Sequence, residues 1–204
     1  MTGVQTCALP IYNALLPKVL FMVILAPVIE EYIFRKQLID RMHIYGEKLA
    51  VITSALMFGL FHGNLSQLFY AFALGLVFGY VYLKTGKLRY SIGLHMLINF
   101  IGSVVGPFFL EKLAVLDTME TMDMAALEPI LPWLLGFGAY VLVLIGLAIA
   151  GLVLLCINKR RVSFAPAELE LPKDDRFMTV YGSVGMILLV VGCTALIVAS
   201  LIPL

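Results

Sequence analysis

The stretch ILPWLLGFGAYVLVLIGLAIAGLVLLCI, residues 130–157, settles the class of protein, because it holds no charged side chain. A helix rises about 1.5 Å per residue, so roughly 20 apolar residues cross the ~30 Å of bilayer hydrocarbon. This run therefore predicts a transmembrane helix. The rest of the chain agrees with it. Of 204 residues, 62% are apolar and 13% charged, with a mean hydropathy of +1.02, whereas soluble domains are about 25% charged. A water-soluble globule and a disordered chain are both excluded, since each needs polar surface. The balance of 14 basic against 13 acidic residues leaves no polyelectrolyte patch for nucleic acid.

Outward from this run, further apolar segments cover 13–34, 48–62, 65–84, 90–110 and 178–203. The expected fold is all-α, a polytopic transmembrane bundle of about six helices. The segment 48–62 is short for a full crossing. It ends at Gly63, and Asn64 followed by Gln67 has the form of a helix start, with asparagine as N-cap and glutamine reaching back. Loop charge then sets orientation. If every segment crosses, Arg35, Lys36, Arg41, Lys48, Lys84, Lys87, Arg89, Lys159, Arg160, Arg161, Lys173 and Arg176 gather on one side, and only Lys18 and Lys112 on the other. By the positive-inside rule the first side is cytoplasmic. The acidic loop 111–128 and the C-terminus then lie on the non-cytoplasmic side. Glycines four apart, at 59 and 63, 75 and 79, and 102 and 106, predict close approach of the second, third and fourth helices.

Residues 2–11, TGVQTCALPI, read as one frame of a sequencing-library adapter, ACT GGA GTT CAG ACG TGT GCT CTT CCG ATC. They are expected to be an artefact, so that native sequence starts near Tyr12 and upstream helices are lost. Residues 12–110 then form a membrane core, and 111–204 add two further helices with connecting loops. Without Cys7, the remaining Cys156 and Cys193 lie in apolar runs and suggest buried small hydrophobes rather than a disulfide or zinc framework.

Nearly all the intramembrane polarity falls in the first four segments. Segment one ends VIEEYIFR, with Glu30, Glu31 and Arg35; segment two ends FGLFH, with His62; segment four carries HMLIN, with His95 and Asn99. An acidic residue at a helix centre costs roughly 2.5–3.5 kcal/mol on insertion scales. Taken singly, each feature has a plain explanation: an interfacial cluster with a snorkelling arginine, or polar side chains joining helices. His43 lies in the charged first loop and is expected to be solvated. Together they suggest chemistry. Glu31 and Arg35 share a helix face and can pair, leaving Glu30 about 100° away, and His95 and Asn99 share another face. A free carboxylate with histidine can deprotonate water, and a histidine–amide pair can donate to an oxyanion. Ser91 lies one turn before His95, but the motifs offer no obvious nucleophile, so activated water is expected to attack.

In E-E-x-x-x-R at 30–35, F-x-x-x-H at 58–62 and H-x-x-x-N at 95–99, the chain resembles the CAAX protease and bacteriocin-processing family, which includes the type II CAAX prenyl endopeptidases. The resemblance covers roughly residues 20–105. It implies an intramembrane endopeptidase acting on a peptide or protein substrate in or at the membrane. Glu30 would be the general base, His62 would help bind and activate water, Glu31 and Arg35 would orient the site, and His95 with Asn99 would form the oxyanion hole. Members are commonly called metalloproteases. Glu30, His62 and His95 could supply two histidines and a carboxylate to a divalent metal such as zinc, although H-E-x-x-H is absent. Metal-bound and metal-free chemistry are both open to these residues. The alternatives are a catalytically silent protein giving bacteriocin self-immunity or binding a partner, and a proton or ion carrier. The missing repeat of the glutamate motif in the last two segments disfavours a carrier.

Overall fold

The computed structural model describes residues 15–114, 116, 127–169 and 172–202. The adapter-like residues, Cys7 and most of the acidic loop lie outside them. Among the described residues there are helices and no strands. We number them α1 (residues 15–42), α2 (Glu47–Phe61), α3 (Leu65–Thr85), α4 (Leu88–Leu113), α5 (Leu131–Arg161), α6 (Lys173–Tyr181) and α7 (Val184–Ala199). The protein is an all-α, integral-membrane helical bundle.

Among the described residues three helices are long and apolar enough to cross a bilayer: α3, α4 and α5. At 21 residues α3 is ~32 Å long. The other three apolar segments fall short of that measure, α2 as its length in the sequence already suggested. Helix α1 carries Glu30, Glu31, Arg35 and Lys36 along its length. Helix α2 has 15 residues and reaches ~22 Å. The last segment is broken: α6 stops at Tyr181, and Ser183, in extended backbone, caps α7 with its side-chain Oγ accepting from the Met186 N–H. The final apolar helix is therefore Val184–Ala199 rather than 178–203.

Helix α1 is not a uniform α-helix. Wide π turns over Lys18–Leu25 and Tyr32–Ile39 bracket an α stretch at Ala26–Glu31. Pro17 and Pro27 begin or precede these changes, and proline has no N–H to continue the ordinary ladder. Such turns recur at functional sites, where they reset which side chains face a common centre.

By internal contact the chain divides into two units. One comprises Ile24–Met96 with Phe164–Leu204. At its heart is α2, apolar all round and the most enclosed helix, as expected for a helix with no polar stripe to show outward. Ala50, Val51, Thr53, Ser54, Ala55, Met57 and Phe58 are all buried. Glycine allows its contact with α3: a Cβ on Gly75 would sit 2.9 Å from Ala55 Cα, and one on Gly59 would sit 2.8 Å from the Leu68 carbonyl oxygen. Met186, Leu189 and Val190 of α7 pack on the Phe34–Met57–Phe58 cluster, and Tyr181 Oη lies 2.8 Å from Thr53 Oγ1. The α2–α3 connection is the tight turn expected, with Gly63 at φ 66° and the Gln67 backbone N–H donating to Asn64 Oδ1 at 2.8 Å. That bond comes from the Gln67 main chain, not from its side chain.

The other unit comprises Met1–Val23 with Leu97–Ser163. Here Phe109 packs on Phe137 and Tyr140, and Phe108 meets Trp133 edge to face. Helix Leu131–Asn158 has no buried residue, an apolar surface suited to lipid. One expectation fails in this part of the chain: Cys156 is exposed, although Cys193 of α7 is buried. Within this unit, Gly106 has Tyr140 Oη at 3.4 Å from a Cβ position. A four-residue glycine spacing marks a permissive face but not which partner uses it.

Candidate active site

The two neighbouring glutamates have separate environments. Glu31 is fully buried, and both of its carboxylate oxygens are held by Arg35: Nε at 3.0 Å and Nη2 at 3.2 Å. The four-residue spacing puts both on one face of α1, so this fork needs no movement of backbone. Arg35 is also fully buried. Its remaining terminal nitrogen, Nη1, donates to Ser54 Oγ of α2 at 2.8 Å, and Ser54 donates to the Phe34 carbonyl at 2.7 Å. The guanidinium carbon lies 4.8 Å from the Phe58 ring centre and 5.8 Å from that of Phe78. A paired, aromatic-walled guanidinium offsets much of the cost of burying its charge.

Glu30 faces another way. Its side chain keeps 20% of its surface exposed, against none for Glu31, and its Oε2 lies 3.7 Å from His95 Nε2. His95 bridges the two acids, because its Nδ1 lies 3.1 Å from Glu31 Oε1. Its ring is stacked on Phe78 at 5.2 Å and meets the edge of Phe58 at 5.4 Å. His62, at the C-terminal end of α2, packs against the same Phe58 ring at 4.8 Å. Its Nδ1 lies 2.8 Å from the Phe58 carbonyl oxygen, which can only accept. Nδ1 therefore carries the proton and a neutral His62 presents a bare Nε2.

Glu30, Glu31, Arg35 and His95 thus come together, with His62 on the same Phe58 ring as His95. Asn99 belongs to the second unit, where its amide donates to the Met22 carbonyl at 2.8 Å. Met22 lies five residues before Pro27, which has no N–H to offer in a wide π ladder, and the asparagine supplies a donor there. Ser91, considered as a nucleophile, is buried and donates to the Leu88 carbonyl, as serines in helices often do. His43 is exposed, as expected. Ser54 and Phe78 escape a reading of the sequence: a serine and a phenylalanine in apolar helices carry no motif of their own.

Of the metal set that the resemblance suggests, His95 turns Nδ1 to Glu31 and its Nε2 toward Glu30 Oε2 at 3.7 Å, a separation compatible with an ion ligated by both at about 2.0 Å. The bare Nε2 of His62 could serve as a further ligand. Among the described residues no three His, Cys, Asp or Glu side chains are already gathered as a metal site. Without an ion, the same groups offer acid–base chemistry.

Residues 12–101 match the family model described as type II CAAX prenyl endopeptidase, Rce1-like. Over 88 residues the chain is 32% identical to the membrane-embedded CAAX protease MroQ of Staphylococcus aureus (strain USA300), covering 40% of this chain and 36% of that protein. The chain thus spans about a third of the length of the curated relative it matches. No solved structure matches it. The family-model match spans the segment that carries the three motifs, and both matches mark the chain as similar to CAAX proteases.

Proposed function

We propose that the chain is an intramembrane endopeptidase that hydrolyses a peptide bond with water activated by Glu30 and His62. The observation that carries this reading is the division of labour between adjacent carboxylates. Glu31 is consumed by Arg35 and His95, whereas Glu30 is partly exposed and has no arginine partner. An acid free of fixed partners, beside imidazoles, suits general-base work.

Glu30 takes a proton from water as the hydroxide oxygen adds to the substrate carbonyl. The bare Nε2 of His62 accepts the water's other hydrogen and orients it. Collapse of the tetrahedral adduct breaks the C–N bond, and Glu30 returns its proton to the leaving amine. Glu31 and Arg35 fix His95. In its neutral form His95 donates through Nδ1 to Glu31 and presents Nε2 as an acceptor, so donation to an oxyanion requires the doubly protonated ring. Asn99, one turn further along α4, has a second amide hydrogen beyond the one given to Met22 and is proposed as the other oxyanion donor. The catalytic core is assigned to residues 12–110, in a bacterial plasma membrane with the basic loops cytoplasmic.

The test is cleavage of a farnesylated CAAX peptide and its unprenylated counterpart in proteoliposomes. Glu30→Ala and His62→Ala are each expected to lose about 10²–10⁴-fold in rate. Persistent cleavage in both variants sinks the assignment. An intact protein that cleaves neither peptide yet protects cells from a bacteriocin supports the immunity reading instead. Unchanged cleavage after exhaustive chelation, with no bound metal by elemental analysis, supports the acid–base route; loss that returns with zinc overturns it.

A further inference from the structure

We infer that Ser54 is a positioning residue, whose hydroxyl locks the Arg35 guanidinium and through it holds Glu31 and His95 in register for the reaction. The inference rests on the endopeptidase reading and adds a residue that none of the three motifs contains. Ser54 is fully buried in the middle of α2. A serine hydroxyl has one hydrogen, and the Phe34 carbonyl at 2.7 Å takes it, since a carbonyl only accepts. Toward Arg35 Nη1, at 2.8 Å, Ser54 Oγ must then accept, which is what a guanidinium requires. Both bonds are therefore directed.

The consequence is a single chain of contacts across three helices. The Phe34 carbonyl of α1 orients Ser54 of α2, Ser54 orients Arg35, Arg35 grips both oxygens of Glu31, and Glu31 receives Nδ1 of His95 on α4. Arg35 and Glu31 lie on the same helix, so their mutual bond cannot fix them against α2. Among the described residues, Ser54 gives Arg35 its hydrogen bond outside α1, while Phe58 and Phe78 supply only the walls. Without the hydroxyl, a buried cationic N–H is left without an acceptor. The guanidinium must then turn, and Glu31 turns with it. A shift of this kind at a reacting centre costs on the order of 10²-fold in rate.

The experiment compares wild type, Ser54→Ala and Ser54→Thr, each full length in lipid nanodiscs. One readout is the ¹⁵N spectrum of the histidine rings, with His95 assigned from its loss in His95→Gln. The other is steady-state cleavage of the farnesylated peptide. In Ser54→Ala, kcat is expected to fall about 10²-fold with KM within about twofold, and the His95 nitrogens should move from a fixed Nδ1–H pattern toward tautomer averaging. Ser54→Thr should restore both. Unchanged His95 nitrogens together with unchanged kcat in Ser54→Ala overturn the proposal, as does a failure of threonine to restore either readout. If Ser54→Ala does not fold, Ser54→Cys takes its place. A weak acceptor of similar size should give intermediate values, and values equal to wild type overturn the proposal. If wild type cleaves nothing, the endopeptidase reading fails, and the His95 spectrum still decides the role of Ser54.

Discussion

Two adjacent acids, Glu30 and Glu31, owe their different surroundings to the roughly 100° of helix rotation between them and to their neighbours. Glu31 points into the packed interior and cannot remain there charged without Arg35. Removing one member of such a buried pair costs ~3–5 kcal/mol, whereas replacing both with apolar residues is often close to neutral. Arg35→Leu should therefore destabilise strongly, and Glu31→Leu/Arg35→Leu should recover much of the loss in thermal unfolding in detergent. If the double variant is as unstable as the two single losses added, the two residues do not act as one pair. Glu30→Gln is expected to behave in the opposite way. With 20% of its side chain exposed and no salt bridge to Arg35, it should leave stability within about 0.5 kcal/mol while abolishing cleavage. The Glu31–Arg35 pairing was legible from spacing alone, because i and i+4 share a face in any helix. Ser54 and Phe78 were not, since their partners lie 19 and 17 residues away in sequence and on other helices.

Among the helices, α2 is held by two devices. The first is the glycine seam with α3. Gly75→Val must displace backbone at Ala55 and should cost about 1–3 kcal/mol. Gly102→Ala, with open space around it, should be neutral or slightly stabilising because alanine favours helix. Equal effects of the two in detergent unfolding would contradict the packing. The second device is at the N-terminal end of α2, where Glu47 accepts from Lys84 Nζ and from the Ala165 N–H, both at 2.7 Å, tying the 162–169 segment to the helix. The Leu169 N–H also donates to the Ile44 carbonyl. Burial alone would raise the Glu47 carboxyl, but the bonds from Lys84 and Ala165, with the Lys84 charge, hold it below the ordinary glutamate value of 4.5. Since the unfolded chain binds the proton more readily, this contribution is complete above pH 4.5 and disappears as pH falls through the lower folded value. Exchange of the Ala165 amide hydrogen should accelerate over that acidic window, beyond the intrinsic rate, and in Glu47→Gln the acidic step should vanish. A step that survives in Glu47→Gln assigns the tie to another group.

For the molecule as a whole, the proposed topology can be read by chemical labelling. Single cysteines placed at Lys87 and Lys112 should differ in intact cells: a membrane-impermeant thiol reagent should label position 112 and spare position 87 until the membrane is opened. The reverse pattern would invert the orientation derived from loop charge. Sequence alone was enough to establish a helical membrane protein and to single out a small set of polar residues within it. Apolar length, charge placement and the spacing of E-E-x-x-x-R, F-x-x-x-H and H-x-x-x-N are local properties, and helical geometry turns local spacing into shared faces. Other features came only with the packed helices. These are the enclosure of α2, the contact of Gly106 with Tyr140, the start of α7 after a break at Gly182, and the addition of Ser54 and Phe78 to the polar cluster. They depend on which faces of separate helices meet. In a chain whose helices are apolar on nearly every side, hydropathy does not distinguish a face that touches lipid from one that touches protein; close packing and the pairing of buried donors with acceptors do.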